Sequence, residues 1–115
     1  MINWDRVDEL RSEIGEDGFA EVVELFLDEV ETTVMRLPSL PAAALEASLH
    51  FLKGSAWNLG FRDFGALCQD GERKAAAGYG GDVDCGLITA RYFSAREVFL
   101  EGLAHRAAER RSRVA

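Results

Sequence analysis

Apolar residues recur along this chain at spacings of three and four, with no sustained alternation at two. That periodicity is its strongest constraint on fold, because a helix gathers such positions on one face while a half-buried strand needs alternation. Val7, Leu10 and Ile14 form a short first stripe, with Asn3 placed to cap the helix and Gly15 to end it. A second helix, expected from about Asp17 to Leu37 and stopped before Pro38, carries Phe19, Val22, Val23, Phe26, Val30 and Val34. In "LPSLP", Ser39 is the expected cap of the next helix and Pro41 sits in its first turn; that helix runs to about Asn58. Gly60 suits the left-handed residue just beyond. Another helix, beginning near Phe61 or Arg62, spaces Phe64, Leu67, Cys68, Gly71 and Ala75. "AGYGGDVD" reads as a loop, and Asp82 or Asp84 can cap a final helix to roughly Arg110 with Ile88, Tyr92, Ala95, Phe99 and Leu103 as its stripe.

Four substantial amphipathic helices with short connections, after a small first one, predict an all-α fold: an antiparallel four-helix bundle with a short additional N-terminal helix. A chain of 115 residues is the size of one domain, so residues 1–115 are read as a single unit. The net charge of −7 is unevenly spread, with 12 acidic and 3 basic side chains in residues 1–50. Nucleic acid is therefore not an expected partner, since phosphate binding needs a basic face. The basic end "HRAAERRSRVA" fits the preference for cations in the last turns of a helix, with a docking tail as the sharper alternative. Two cysteines make no disulfide framework, the start lacks a signal-peptide pattern, and no apolar run approaches the roughly 20 residues of a membrane span. A cytoplasmic chain with reduced thiols and no membrane association is the expectation.

The segment "LHFLKGSAWNLG" is less ordinary. At about 100° per residue, Leu45, Leu49, Leu52, Ala56 and Leu59 fall within an arc of roughly 80°, and His50 lies about 140° from its middle. His50 thus points away from the core. Glu46 lies one turn before it on the outer face, Lys53 and Gly54 one turn after, and Trp57 two turns after. An exposed His or Lys is usually only a solvated side chain. Together, however, a cation one turn from an imidazole disfavours ring protonation and offers a counter-charge to any anion the ring acquires. Gly54 costs about 1 kcal/mol relative to Ala within a helix, and it lies on the side where packing against a neighbour does not excuse it. Cleared space beside the imidazole explains it better. Trp57 is read either as core rim or as an apolar anchor for a docking protein. The cluster fits a His that carries a phosphoryl group and is approached by another protein.

At these residues the sequence resembles the histidine-containing phosphotransfer (HPt) family of two-component phosphorelays, whose motif reads roughly His-x-Leu-Lys-Gly-Ser-[Ser/Ala]-x-x-Leu-Gly. His50, Leu52, Lys53, Gly54, Ser55, Ala56, Leu59 and Gly60 match it. The resemblance runs from Ile2 to about Glu72, whereas the last helix matches only in length and amphipathicity. It implies that His50 is phosphorylated, that Lys53 helps neutralise the phosphoryl oxygens, and that Gly54 leaves room for that group and the incoming receiver. Glu72 stands where the family commonly has Glu or Gln, and could hold the proton on one ring nitrogen; Gln69 is a weaker candidate for that contact. Gly71, where an apolar residue is common, is a departure that bears on packing.

The resemblance further implies a carrier and not an ATP-using enzyme, exchanging phosphate with response-regulator receiver domains and, by extension, a hybrid histidine kinase. Receiver docking would involve Glu46, Lys53, Gly54, Trp57 and Gln69. No cofactor or metal is expected on this chain, because the Mg²⁺ belongs to the receiver, and a monomer is the default. No Gly-rich nucleotide loop of Walker or kinase type appears. Two alternatives remain open: a helical module that docks on a receiver or kinase without accepting phosphate, and a hydrolytic or metal enzyme. The second is disfavoured, because only His50 and His105 exist and Cys68 lies on a core stripe, where a thiol behaves as a small hydrophobe.

Overall fold

In the computed structural model, which describes residues 1–114, Asn3 opens helix α1 (Trp4–Ile14) by accepting the Arg6 N–H on Oδ1 at 3.3 Å. Gly15, at φ +91°, ends it. Val7 and Leu10 are buried as their spacing predicts, but Ile14 is not. The chain reverses at Gly15, and Ile14 rests instead over Gly18, where an added Cβ would come within 2.8 Å of its Cγ2.

Helix α2 (Glu16–Arg36) buries Phe19, Val23, Val30 and Val34, and leaves Val22 and Phe26 half-buried. The helix ends before Pro38 as expected, and Pro38 sits in a 3₁₀ turn, Leu37–Ser39. Ser39 does not cap the next helix, contrary to expectation. Its hydroxyl donates back to the Arg36 carbonyl at 2.9 Å, and the extended Leu40 and Pro41 separate it from helix α3 (Ala42–Asn58). Pro41, not Ser39, occupies the cap position, having no N–H that needs a partner there.

Gly60, at φ +88°, turns the chain into helix α4 (Arg62–Ala76). The following loop holds a 3₁₀ turn, Gly80–Asp82. Asp84 rather than Asp82 then caps helix α5 (Cys85–Val114), accepting the Leu87 N–H at 2.9 Å. This last helix continues past the expected Arg110.

Helix α2 packs on α3 and α5, and α4 packs on the same two, which closes the four-helix bundle; the α3–α4 interface is the most extensive. Leu49 and Leu52 of α3, Phe64 and Cys68 of α4, and Ile88, Tyr92 and Phe99 of α5 fill its centre. Burying each such Leu, Ile or Phe contributes about 1.5–3 kcal/mol. Tyr92 keeps its hydroxyl satisfied by donating to the Leu27 carbonyl at 3.2 Å, and desolvation pushes that phenol up to about 12.

Helix α1 is clasped to one end of this bundle. The Asn3 N–H donates to the Gly60 carbonyl at 2.7 Å, Ile2 pairs with Phe61 as an isolated bridge, and Trp4 stacks on Phe99 at 6.0 Å. Gly102 admits the indole, since a Cβ there would lie 2.2 Å from Trp4. Among the described residues, no helix is long and apolar enough to cross a membrane.

Candidate functional site

The α3 stripe is buried as its wheel predicts: Leu45, Leu49, Leu52, Ala56 and Leu59 are none of them more than 5% exposed. Burying that face turns His50 outward, with 69% of its side chain exposed. Helix α4 lies alongside, close at Gly71. A Cβ at Gly71 would press within 3.2 Å of Leu49 and 3.4 Å of Val83, so the departure from the usual apolar residue is a close-packing device. The next residue, Glu72, is thereby brought level with His50.

Glu72 makes two bonds at once. Its Oε2 lies 2.7 Å from Nδ1 of His50, and its Oε1 accepts from Nζ of Lys53 at 2.6 Å. Both Lys53 and Glu72 are sheltered, at 19% and 18% exposure. The Lys53 hydrogen bond, more than the bond to His50, holds the Glu72 carboxyl below the usual glutamate range against the opposing effect of desolvation. An ionised carboxylate only accepts, so Nδ1 bears the ring proton, and in the neutral ring Nε2 keeps a free lone pair. The exposed imidazole is thus oriented, with one nitrogen held and the other available.

Lys53 does not stand free beside the ring, as its spacing from His50 suggested; its ammonium is committed to Glu72. Gln69 does not contribute. It is half-buried without a bond to His50, because three residues, about 4.5 Å of helix rise, separate it from the level of Glu72. Glu46 is exposed one turn before His50. Gly54 borders open space, with nothing within 4 Å of where a Cβ would be. No packing requirement therefore accounts for glycine at that position.

Trp57 is 40% exposed yet fixed in place. Its Nε1–H donates to the Arg62 carbonyl at 3.3 Å, and its ring lies on Gly65, where a Cβ would come within 2.2 Å of Nε1. Gly65 is a participant that sequence reasoning passed over. The available signal was a second glycine inside a helix, at the same cost of about 1 kcal/mol that drew notice to Gly54.

Other combinations do not assemble. Cys68 is fully buried, and desolvation pushes its thiol up to about 12, so it is no nucleophile. His105 lies on α5 and pairs with Glu109 at 3.0 Å. Among the described residues, no group of three or more His, Cys, Asp or Glu side chains is placed to hold a metal ion.

Compared with known families, the chain matches the family model described as "Hpt domain" over residues 21–109, which contain His50, Lys53 and Glu72. No curated protein and no solved structure matches it.

Proposed function

The chain belongs to the Hpt domain family, and on that premise we propose that His50 carries a phosphoryl group between receiver-domain aspartates in a two-component phosphorelay. The observation that supports this best is the Glu72 carboxylate on Nδ1, which leaves Nε2 as a directed nucleophile on an exposed face. In the forward step the Nε2 lone pair attacks phosphorus, the P–O bond to the donor aspartate breaks, and its electron pair stays on the departing carboxylate. The phosphorylated ring is an imidazolium with Nδ1 still protonated, and Glu72 answers its positive charge. The same steps in reverse deliver the phosphoryl group to an acceptor aspartate.

Such transfer is mostly positioning and charge stabilisation. Lys53 is within reach of the site and can exchange its bond to Glu72 for one to a phosphoryl oxygen. Gly54 leaves the approach open, while Glu46, Trp57 and Gln69 rim the face on which the receiver would land. The protein acts as a carrier without its own ATP site, and Mg²⁺ would come with the receiver. A hybrid histidine kinase is the expected upstream partner. We read residues 1–115 as one domain acting as a cytoplasmic monomer without nucleic-acid or membrane contacts. Incubation with a phosphorylated receiver should place an acid-labile, base-stable phosphate on the protein that is absent in His50→Ala. Phosphate found elsewhere, or undiminished in that variant, refutes the proposal. If His50→Ala instead keeps full regulatory activity, docking without phosphate is the function.

A further inference from the structure

The far end of α5 presents a cluster that the His50 site does not use. Arg106, Arg110 and Arg113 are spaced by four and three, so they share one face of the helix. Together with Asp8 and Arg11 of α1 and Glu109, they line a cleft of about 340 Å³. Four guanidiniums thus meet two carboxylates. Cations near a helix C-terminus are favoured by its dipole, but that preference does not require them to face another arginine.

Arg11 is the telling member. Only 14% of its side chain is exposed, yet its carboxylate contacts are long, 3.6 Å to Asp8 and 3.7 Å to Glu16. Its guanidinium lies over the Phe19 ring at 4.7 Å, and its Nε is buried without an acceptor. Arg106 bonds to Asp8 and lies over Trp4 at 5.0 Å, and its Nε is likewise buried and unsatisfied. Among the described residues Arg110 is paired with no carboxylate. Desolvation, then the charges of Arg110 and Arg106, draw Arg11 below the usual arginine range, although Glu16 and Asp8 pull the other way. Arg11 Nε has only the long 3.7 Å contact to Glu16, and four guanidiniums line the cleft against the carboxylates of Asp8 and Glu109, so an anion seated there would offset the like-charge crowding.

We propose that this cleft between α1 and the end of α5 binds a small phosphate anion, inorganic or carried on a nucleotide, through Arg11, Arg106 and Arg110. Phosphate oxygens match the planar fork of a guanidinium, and several can be engaged at once. Asp8 holds Arg106 in place at the cleft wall, and the rings of Phe19 and Trp4 support the two guanidiniums from beneath.

The test is thermal unfolding of the full chain with pyrophosphate, with ADP, and with sodium chloride at matched ionic strength. A saturable rise in midpoint with pyrophosphate, not reproduced by chloride, is expected, with affinity about tenfold weaker in Arg110→Gln for the loss of one charge-assisted contact. Among the described residues no ion pair depends on Arg110, so Arg110→Gln serves even if Arg11→Gln fails to fold. Nitrogen-detected NMR should place the largest changes at the Arg11 and Arg106 Nε–Hε groups. An equal response to ADP assigns recognition to the phosphates of either source. A response to ADP alone assigns the cleft to a nucleotide-borne phosphate; no rise with either probe, a rise that chloride matches, an effect that survives Arg110→Gln, or changes centred on Lys53 overturns the proposal.

Discussion

Replacing Glu72 with Ala removes the acceptor of His50 Nδ1, at 2.7 Å, and of Lys53 Nζ, at 2.6 Å, in one step. The His50 ring then loses the contact that selects its proton position and its orientation. A hydrogen bond to a charged group contributes about 1.5–3 kcal/mol when well sheltered. Because His50 is 69% exposed, solvent screening reduces this to about 1 kcal/mol. Lost from the transition state, about 1 kcal/mol slows phosphoryl transfer about fivefold. Glu72→Gln keeps an oxygen able to accept from Nδ1–H and should stay within about twofold of the parent. Single-turnover transfer from a phosphorylated receiver measures the rates, and ring-nitrogen NMR of His50 reports the tautomer directly. In the parent near neutral pH, the neutral ring should carry its proton on Nδ1, and Glu72→Ala should lose that preference. A folded Glu72→Ala protein that transfers as fast as the parent, or faster because Lys53 is released, refutes the positioning role.

Four further outcomes follow from the same geometry. The folded Glu72 value lies below the ordinary one near 4.5, so its contribution is fully present above that value and fades as pH falls through the lowered one; carboxyl NMR should show the midpoint rise in Lys53→Met, and an unmoved midpoint contradicts Lys53 as the main cause. Gly54→Ala has open space for its methyl and should stabilise the helix by about 0.5–1 kcal/mol in urea melts while slowing transfer from a receiver; a stabilised variant with unchanged transfer removes the clearance argument. Gly65→Ala would place a Cβ 2.2 Å from Trp57 Nε1 and must displace the indole, so tryptophan emission in a Trp4→Phe background should shift to the red, and an unshifted band shows that the indole was not seated there. Gly60→Ala puts an L-residue at φ +88° with its Cβ 2.8 Å from the Asn3 carbonyl, which should cost about 2–4 kcal/mol in denaturant unfolding; a loss below about 1 kcal/mol shows that the α1 clasp is soft.

Periodicity alone determined the helices and the outward direction of His50, because a buried stripe at three and four spacing leaves only one side for the remainder. It also marked Gly54, since an unexcused helix glycine is visible in one dimension. Chain reversals were less legible. Ile14 continued the α1 stripe in sequence, yet the turn at Gly15 carried it off the core, and the extended Leu40–Pro41 segment removed Ser39 from the helix it was expected to cap.

Only the tertiary structure decided which partner His50 has. The family resemblance offered Glu72 and, more weakly, Gln69, one turn apart; the packing of α4 against α3, close at Gly71 and Leu49, puts Glu72 level with the ring. The same packing engages Lys53 with Glu72 and seats Trp57 on Gly65. The crowding of Arg11 against Arg106 and Arg110 likewise arises from two helices separated by most of the chain. Helical period is a local property and can be read along a single segment. The register between two helices depends on the volumes of side chains at their crossing, which no single segment contains.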